Sequence, residues 1–201
     1  MDNFSLFDDP KPTLLIPNIE GVTYISDFLN EDDEKNIIEH IDRQQWITDL
    51  ERRVQHYGFR YDYKKTSLDQ NINVPKIPVW LNPMIRELVE ECELIQPPNQ
   101  LIVNEYQPGQ GISEHIDATE IFGDTIIMIS LGSSCIMDFT LEENKTKRKE
   151  SIFLERRSLL MIQKEARYKW KHSISKRKND VWDNFPYKRD RRISLTFRNV
   201  A

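Results

Sequence analysis

His115-Ile116-Asp117 places an imidazole and a carboxylate two residues apart. In a β-strand, residues i and i+2 share a face with Cα atoms ~6.6 Å apart, so both side chains can reach one ion. Two nitrogens and one carboxylate on one face of an octahedral ion leave the opposite positions open for a bidentate cosubstrate and oxygen. That is the facial arrangement of non-haem iron(II) oxygenases. The second nitrogen must come from His40, His56 or His172. His172 follows a strand-rich segment and precedes Ser173-Ile174, so it can lie on a strand bordering the same site.

HxD spacing alone recurs in many unrelated proteins. The carboxyl-terminal strand adds independent information. Arg192, Ser194, Thr196 and Arg198 alternate there with Ile193, Leu195 and Phe197, giving one polar face with an arginine at each end and one apolar face. An ordinary strand turns such a polar face to water. Paired arginines also suit a dicarboxylate, because the guanidinium fork matches a carboxylate and stays charged. Their Cα atoms lie about 20 Å apart on an extended strand, so they would grip different ends of one small diacid such as 2-oxoglutarate.

The elements that must position these residues fall into two parts. Val22–Phe28 has the pattern of a strand, and Asn30 caps a helix with apolar face Ile37, Ile38 and Ile41. Leu81, Met84, Ile85, Leu88 and Val89 mark a second helix that Pro97-Pro98 closes. Between the helices, residues 52–76 are aromatic and polar, as in a hairpin or long ordered loop. After Pro98 strands dominate: 100–106, 112–117, 125–131, 135–140, 151–154, 158–163 and 192–199. The polar runs 142–150 and 179–190 read as loops. Short strands following two helices predict an α+β domain, a double-stranded β-helix or jelly roll with supporting amino-terminal helices.

The chain has 201 residues, the size of one domain, and 38% hydrophobic residues, enough for a globular core. No apolar run approaches the ~20 residues of a membrane span, and the amino terminus lacks the basic-then-apolar pattern of a secretory signal. Cys92 and Cys135 read as small core residues, which makes a reducing intracellular compartment, cytoplasmic or nuclear, the default. The net charge of −5 is uneven: residues 1–140 carry 25 acidic and 10 basic side chains, residues 141–201 carry 8 and 18. A basic end can steer a polyanion or be an uneven solvated surface. For Arg156, Arg157 and Arg167 the choices are solubility or phosphate contact; for Tyr57, Phe59, Tyr61 and Tyr63 they are base stacking or core packing.

His115-x-Asp117, His172 and Arg192-x-Ser194-x-Thr196-x-Arg198 together resemble the signature of AlkB-like dioxygenases in order and spacing. Asn104-Glu105-Tyr106-Gln107-Pro108-Gly109 resembles the segment that supplies an Asn and a Tyr to the cosubstrate, and Ile129-Ser130-Leu131-Gly132 the strand after the HxD element. The resemblance implies a single AlkB-like domain over 1–201 with its catalytic core in 97–201, using Fe(II), 2-oxoglutarate and O2. It implies that His115, Asp117 and His172 hold the iron. Arg192, with Tyr106, would bind the distal carboxylate of 2-oxoglutarate, with Arg198 and Asn104 near its keto-acid end. Ser194 stands where much of the family has Asn, which reduces hydrogen bonding there.

Arg52-Arg53-Val54-Gln55-His56-Tyr57-Gly58, Gly109-Gln110-Gly111-Ile112, Met137-Asp138-Phe139, Arg156-Arg157-Ser158-Leu159-Leu160 and Arg167-Tyr168-x-Trp170-x-His172 resemble the branch that hydroxylates a modified wobble uridine of tRNA. Thr119 stands where base-repairing members often carry an Asp, which argues against alkylated-base repair. Animal proteins of that branch also carry an RNA-recognition module and a methyltransferase domain, so a methyltransferase or an RNA-binding protein is an expected partner. Three function classes follow. They are an oxygenase of nucleic acid (tRNA hydroxylation or N-alkyl demethylation), an oxygenase of a protein or small molecule, and a non-catalytic nucleic-acid-binding module.

Overall fold

The computed structural model describes residues 12–48, 51–62, 67–68 and 74–200, with the backbone alone at 61–62 and 67–68. Strand β1 (Val22–Ile25) leads to α1 (Glu31–Asp42), whose cap Asn30 accepts from the Asp33 amide at 2.8 Å. The cap satisfies an amide that the first helical turn otherwise leaves open. Strands β2 (Val54–Tyr57), β3 (Tyr61–Asp62) and β4 (Ser67–Leu68) follow, the last two as a hairpin. A short 3-10 turn (Val79–Leu81) opens α2 (Asn82–Glu91).

From there strands dominate: β5 (Gln100–Tyr106), β6 (Ile112–His115), β7 (Ile126–Leu131), β8 (Cys135–Glu143), β9 (Thr146–Leu154) and β10 (Leu159–Ile162). A short helix, α3 (Lys164–Tyr168), precedes β11 (Lys171–Ile174). The hairpin β12 (Asn179–Trp182) and β13 (Phe185–Lys188) then leads to β14 (Arg192–Arg198).

Six strands form a major sheet in the order β1-β10-β7-β14-β5-β2, and four a minor sheet, β6-β11-β8-β9. All pairings in both sheets are antiparallel. This is the jelly roll expected from the strand pattern, with its two edge strands β1 and β2 drawn from before residue 97. One apolar core packs α1 and α2 through Ile37, Ile41, Leu81 and Leu88 onto Ile193, Leu195 and Phe197 of β14. A second core fills the space near β8 and β9 with Met137, Phe139, Ile152 and Trp170. Cys92 lies in the first and Cys135 in the second, both buried and unpaired. Each fully buried Leu or Ile contributes on the order of 1.5–3 kcal/mol.

Several expected boundaries move. The polar run 142–150 is a hairpin: β8 and β9 pair through Glu143↔Thr146, and the two turn residues Asn144 and Lys145 have φ of 49° and 64°. The run 179–190 is likewise a hairpin, with Asp183 and Asn184 at φ 50° and 66°. Both turns suit residues that tolerate the left-handed region. Helix α3 was not legible, because five residues are too few to show a period. Strand β6 stops at His115, so Asp117 lies beyond the strand in which it was expected. Gly111 lets the start of β6 approach β11, since a Cβ there would stand 2.1 Å from the Ile174 carbonyl oxygen. Among the described residues no helix is long and apolar enough to cross a membrane.

Candidate functional site

The inner face of β14 carries Arg192, Ser194, Thr196 and Arg198, each no more than 7% exposed. Cross-strand register sets Arg192 beside Tyr106 and Ser194 beside Asn104 of β5. These six residues line one cavity together with His115, Asp117 and His172. Every residue singled out from the sequence as a site residue therefore faces the same space. His40 does not belong to it: the ring lies on α1, stacked on Trp80 with centroids 5.0 Å apart. His56 is buried on β2 and is not among the cavity-lining residues.

His115 and His172 are direct cross-strand partners on β6 and β11, and their ring centroids are 4.3 Å apart. His115 Nδ1 lies 2.8 Å from the Ser113 carbonyl, leaving Nε2 turned inward, 4.0 Å from Asp117 Oδ1. That carboxylate oxygen accepts from Arg198 Nη2 at 2.8 Å, while Asp117 Oδ2 and His172 Nδ1 are buried without a partner. As drawn, no three His, Cys, Asp or Glu side chains among the described residues close to metal-ligand distances. Asp117 Oδ1 is held instead by Arg198 of β14.

Burial alone would raise the Asp117 carboxyl, but Arg198, the two imidazoles and Arg167 outweigh it and hold it at about 2. Burial, with His115 beside it, pushes His172 down to about 3. At neutral pH the donors are thus an anionic carboxylate and an uncharged buried imidazole, the forms a metal ion requires. The set of two nitrogens and one carboxylate, with an orphaned carboxylate oxygen between them, fits the facial arrangement for iron(II).

At the other end of β14, Arg192 donates through Nη2 to Ser130 Oγ at 2.8 Å. Its Nε and Nη1 are buried with no partner, and its guanidinium lies 5.5 Å from the centroid of the Tyr106 ring. Two orphan donors on one buried guanidinium form the fork that a carboxylate accepts from. Leaving them unmet costs about 1–3 kcal/mol each, so they mark a ligand position. Asn104 Oδ1 accepts from Arg52 Nε at 2.9 Å. Arg52, Met128 and Met137 also line the cavity, and sequence reasoning had assigned none of them to it. Arg52 precedes an edge strand and carries no periodic signal.

Other expectations change. Arg167 is 1% exposed and is neither a solubility nor a phosphate-contact residue, since its guanidinium is spent on backbone carbonyls. Arg156 and Arg157 pair with acids of the α1 region, Arg156 with Glu34 and Arg157 with Asp27 at 3.0 Å. Tyr57 is core, 5% exposed, with its hydroxyl on Gln55 Oε1. Phe59 is 38% exposed; the Tyr61 side chain and Tyr63 lie outside what is described. The basic excess of residues 141–201 is met in part within the molecule. Glu20, Asp42, Glu51, Glu105 and Asp117 pair with Lys164, Arg191, Lys176, Arg191 and Arg198 respectively. The charge split along the sequence is thus in part internal complementarity, with the Lys164–Glu20 and Lys176–Glu51 pairs at the surface.

The family model of the 2OG-Fe(II) oxygenase superfamily matches residues 39–198. Protein L905 of Acanthamoeba polyphaga mimivirus is 38% identical over 185 residues, covering 91% of this chain and 86% of that one. The mouse tRNA (carboxymethyluridine(34)-5-O)-methyltransferase ALKBH8 is 32% identical, over 90% of this chain and 30% of its own length. The Arabidopsis thaliana alkylated DNA repair protein ALKBH8 homolog is 32% identical, over 96% of this chain and 63% of that one. Among solved structures, OsALKBH1 superposes with a TM-score of 0.69 at 19% identity, over 89% of this chain and 98% of that one, a likeness of fold. With the jelly roll and the cluster of two histidines, an aspartate and two arginines around one cavity, these matches make the chain a member of the 2OG-Fe(II) oxygenase superfamily, an AlkB-like Fe(II)- and 2-oxoglutarate-dependent dioxygenase.

Proposed function

We propose that His115, Asp117 and His172 hold iron(II), that Arg192 receives the distal carboxylate of 2-oxoglutarate, and that the substrate is a modified wobble uridine of tRNA. The observation that carries the site assignment is one cavity that the unmatched donors of Arg192 share with two histidines and an aspartate. When bound, iron(II) with 2-oxoglutarate and oxygen supplies the oxidising power that inserts oxygen into a substrate C–H bond, releasing succinate and carbon dioxide. The chain's own residues do the positioning. Asp117 and His172 are kept unprotonated by their surroundings. Arg192, backed by Ser130 and Tyr106, fixes one end of the diacid, while Asn104 and Arg198 lie toward the other. Ser194 is short and leaves room beside Asn104. Arg52, reaching from before β2 onto Asn104, covers the cavity at the side of the edge strand.

The tRNA reading rests on three supports. Arg52–Gly58 and Arg167–His172 resemble the wobble-uridine branch, and ALKBH8 proteins recur among the relatives near 32% identity. Exposed Thr119, two residues beyond Asp117, offers no carboxylate to a repaired base. The chain spans 30% of the mouse relative's length, and a methyltransferase or RNA-binding protein is the partner in this reading. A second reading, oxidative demethylation, is favoured by a Caenorhabditis elegans relative named as a DNA N6-methyl adenine demethylase, 31% identical over 91% of this chain. Incubation with iron(II), 2-oxoglutarate and tRNA bearing methoxycarbonylmethyluridine, followed by nucleoside mass analysis, separates them. A gain of one oxygen on that nucleoside is expected. An unchanged uridine with loss of a methyl group from adenine or cytosine replaces the proposal with the demethylase.

A further inference from the structure

Arg167 is among the most completely buried of the described side chains, yet among the described residues no carboxylate accepts from it. Its guanidinium donates to four backbone carbonyls of one turn: Asp117 at 2.8 Å, Ala118 at 3.3 Å, Phe122 at 3.1 Å and Gly123 at 3.2 Å. Burying such a charge among carbonyl dipoles is costly, and it depresses the basicity of the guanidinium despite the nearby Asp117 carboxylate. An apolar side chain of similar size would avoid that cost if filling space were the only requirement.

The position of Arg167 in the chain explains what it joins. It sits on α3, whose end lies four residues before His172, and α3 is itself tied back by the Ala166 amide to the Glu20 carbonyl. Asp117 has left β6 and has no strand ladder to fix it. The turn that carries it is otherwise held by the Phe122 amide on the Ala118 carbonyl and the Gly123 amide on the Asn199 carbonyl. Arg167 is therefore a direct link between the segment bearing His172 and the backbone of the turn bearing Asp117, beside the Tyr168 hydroxyl on Asp124 and the pairing of His115 with His172.

We infer that Arg167 is a positioning residue for the metal centre, setting the Asp117 backbone relative to His172 so that the two donors converge on one ion. This rests on the ligand assignment proposed above. A planar fork with several divergent N–H groups can span four carbonyls; a lysine ammonium, a single point with three donors, cannot. Removing a partner that orients a ligand typically lowers metal affinity about 10- to 100-fold.

Mn(II) affinity of the full chain, read by paramagnetic resonance of the free ion, tests this without turnover. Arg167→Lys is expected to bind Mn(II) at least about 10-fold more weakly. At saturating iron(II) it is expected to recover turnover and to keep the KM for 2-oxoglutarate within about twofold, since Arg192 is untouched. Parent-like Mn(II) affinity in folded Arg167→Lys overturns the inference, as does a KM for 2-oxoglutarate that rises in step with the metal constant. His172→Ala is the control for the reading beneath it: parent-like affinity there refutes the ligand assignment itself. If Arg167→Lys does not fold, hydrogen exchange on the unaltered chain decides. Coupling between clamp and metal is reciprocal, so Mn(II) should slow exchange of amides 118–123; unchanged exchange there overturns the inference.

Discussion

Strand β14 has two buried faces that differ in kind. Toward the helices it presents Ile193, Leu195 and Phe197, at most 1% exposed and packed against α1 and α2. Toward the minor sheet it presents Arg192, Ser194, Thr196 and Arg198, buried nearly as deeply but with Arg192 Nε, Arg192 Nη1 and Arg198 Nε unmatched. The helix face is complete as it stands, and its contribution is stability. The cavity face carries polar groups that protein atoms satisfy only in part, and in the proposed function its contribution is binding. Burial alone does not tell core from site; satisfaction of the buried polar atoms does.

The sharpest way to break the comparison is at the proposed ligands. His115→Ala, Asp117→Ala and His172→Ala are each expected to lower succinate formation by about 10³-fold or more, with an unchanged far-ultraviolet dichroism spectrum. A His172→Ala protein that turns over 2-oxoglutarate like the parent would show that another residue supplies the third donor.

A paired experiment on β14 comes next. Leu195→Ala should cost about 3 kcal/mol in urea unfolding while leaving 2-oxoglutarate affinity of the folded protein intact. Arg192→Ala should do the reverse, weakening 2-oxoglutarate about 100-fold with little loss of stability, and Arg192→Lys should weaken it about 10-fold. Calorimetric titration beside denaturation curves checks both; equal cosubstrate affinity in parent and Arg192→Ala removes that arginine from the site.

A smaller effect concerns His56, on the cavity side of β2. Burial first, then Arg60, Arg198 and Arg52, lower it to about 4. Between its ordinary value near 6.5 and about 4, the unfolded chain takes up a proton that the folded chain refuses. The stability from keeping this imidazole neutral is therefore intact above pH 6.5 and is lost as pH falls toward 4, by at most about 1.4 kcal/mol per pH unit. His56→Gln should flatten the fall of the urea midpoint across that window. Identical pH slopes in parent and variant would show that the ring is not held neutral by its surroundings.

The sequence reading succeeded where a strand is buried on both sides or alternates cleanly. Strand β5 spans 100–106 as expected, β14 shows its two faces in the alternation itself, and Asn30 caps α1. It failed where exposure blurs the pattern. Both hairpin turns, at 144–145 and 183–184, lie among polar residues that read as loop, although their strands pair residue by residue. It also failed where position depends on distant backbone. Asp117 reaches the cavity from a turn rather than from the strand face that motivated its choice, and nothing near it in sequence announces Arg167. The charge split between residues 1–140 and 141–201 was visible, but only the fold shows Arg191 closing on Asp42 and Glu105.

The place of β14 in the major sheet also bears on the order in which the molecule can be made. Residues 192–198 form a central strand, hydrogen-bonded to β7 on one side and β5 on the other. A growing polypeptide that has released β5 and β7 from the ribosome holds two apolar strands with an unfilled slot between them. Those open edges invite pairing with other chains, so a chaperone that shields them until residue 198 emerges would be of most use here. The same order withholds Arg192 and Arg198 from the cavity until the major sheet is whole, whereas His115 and His172 pair within the minor sheet.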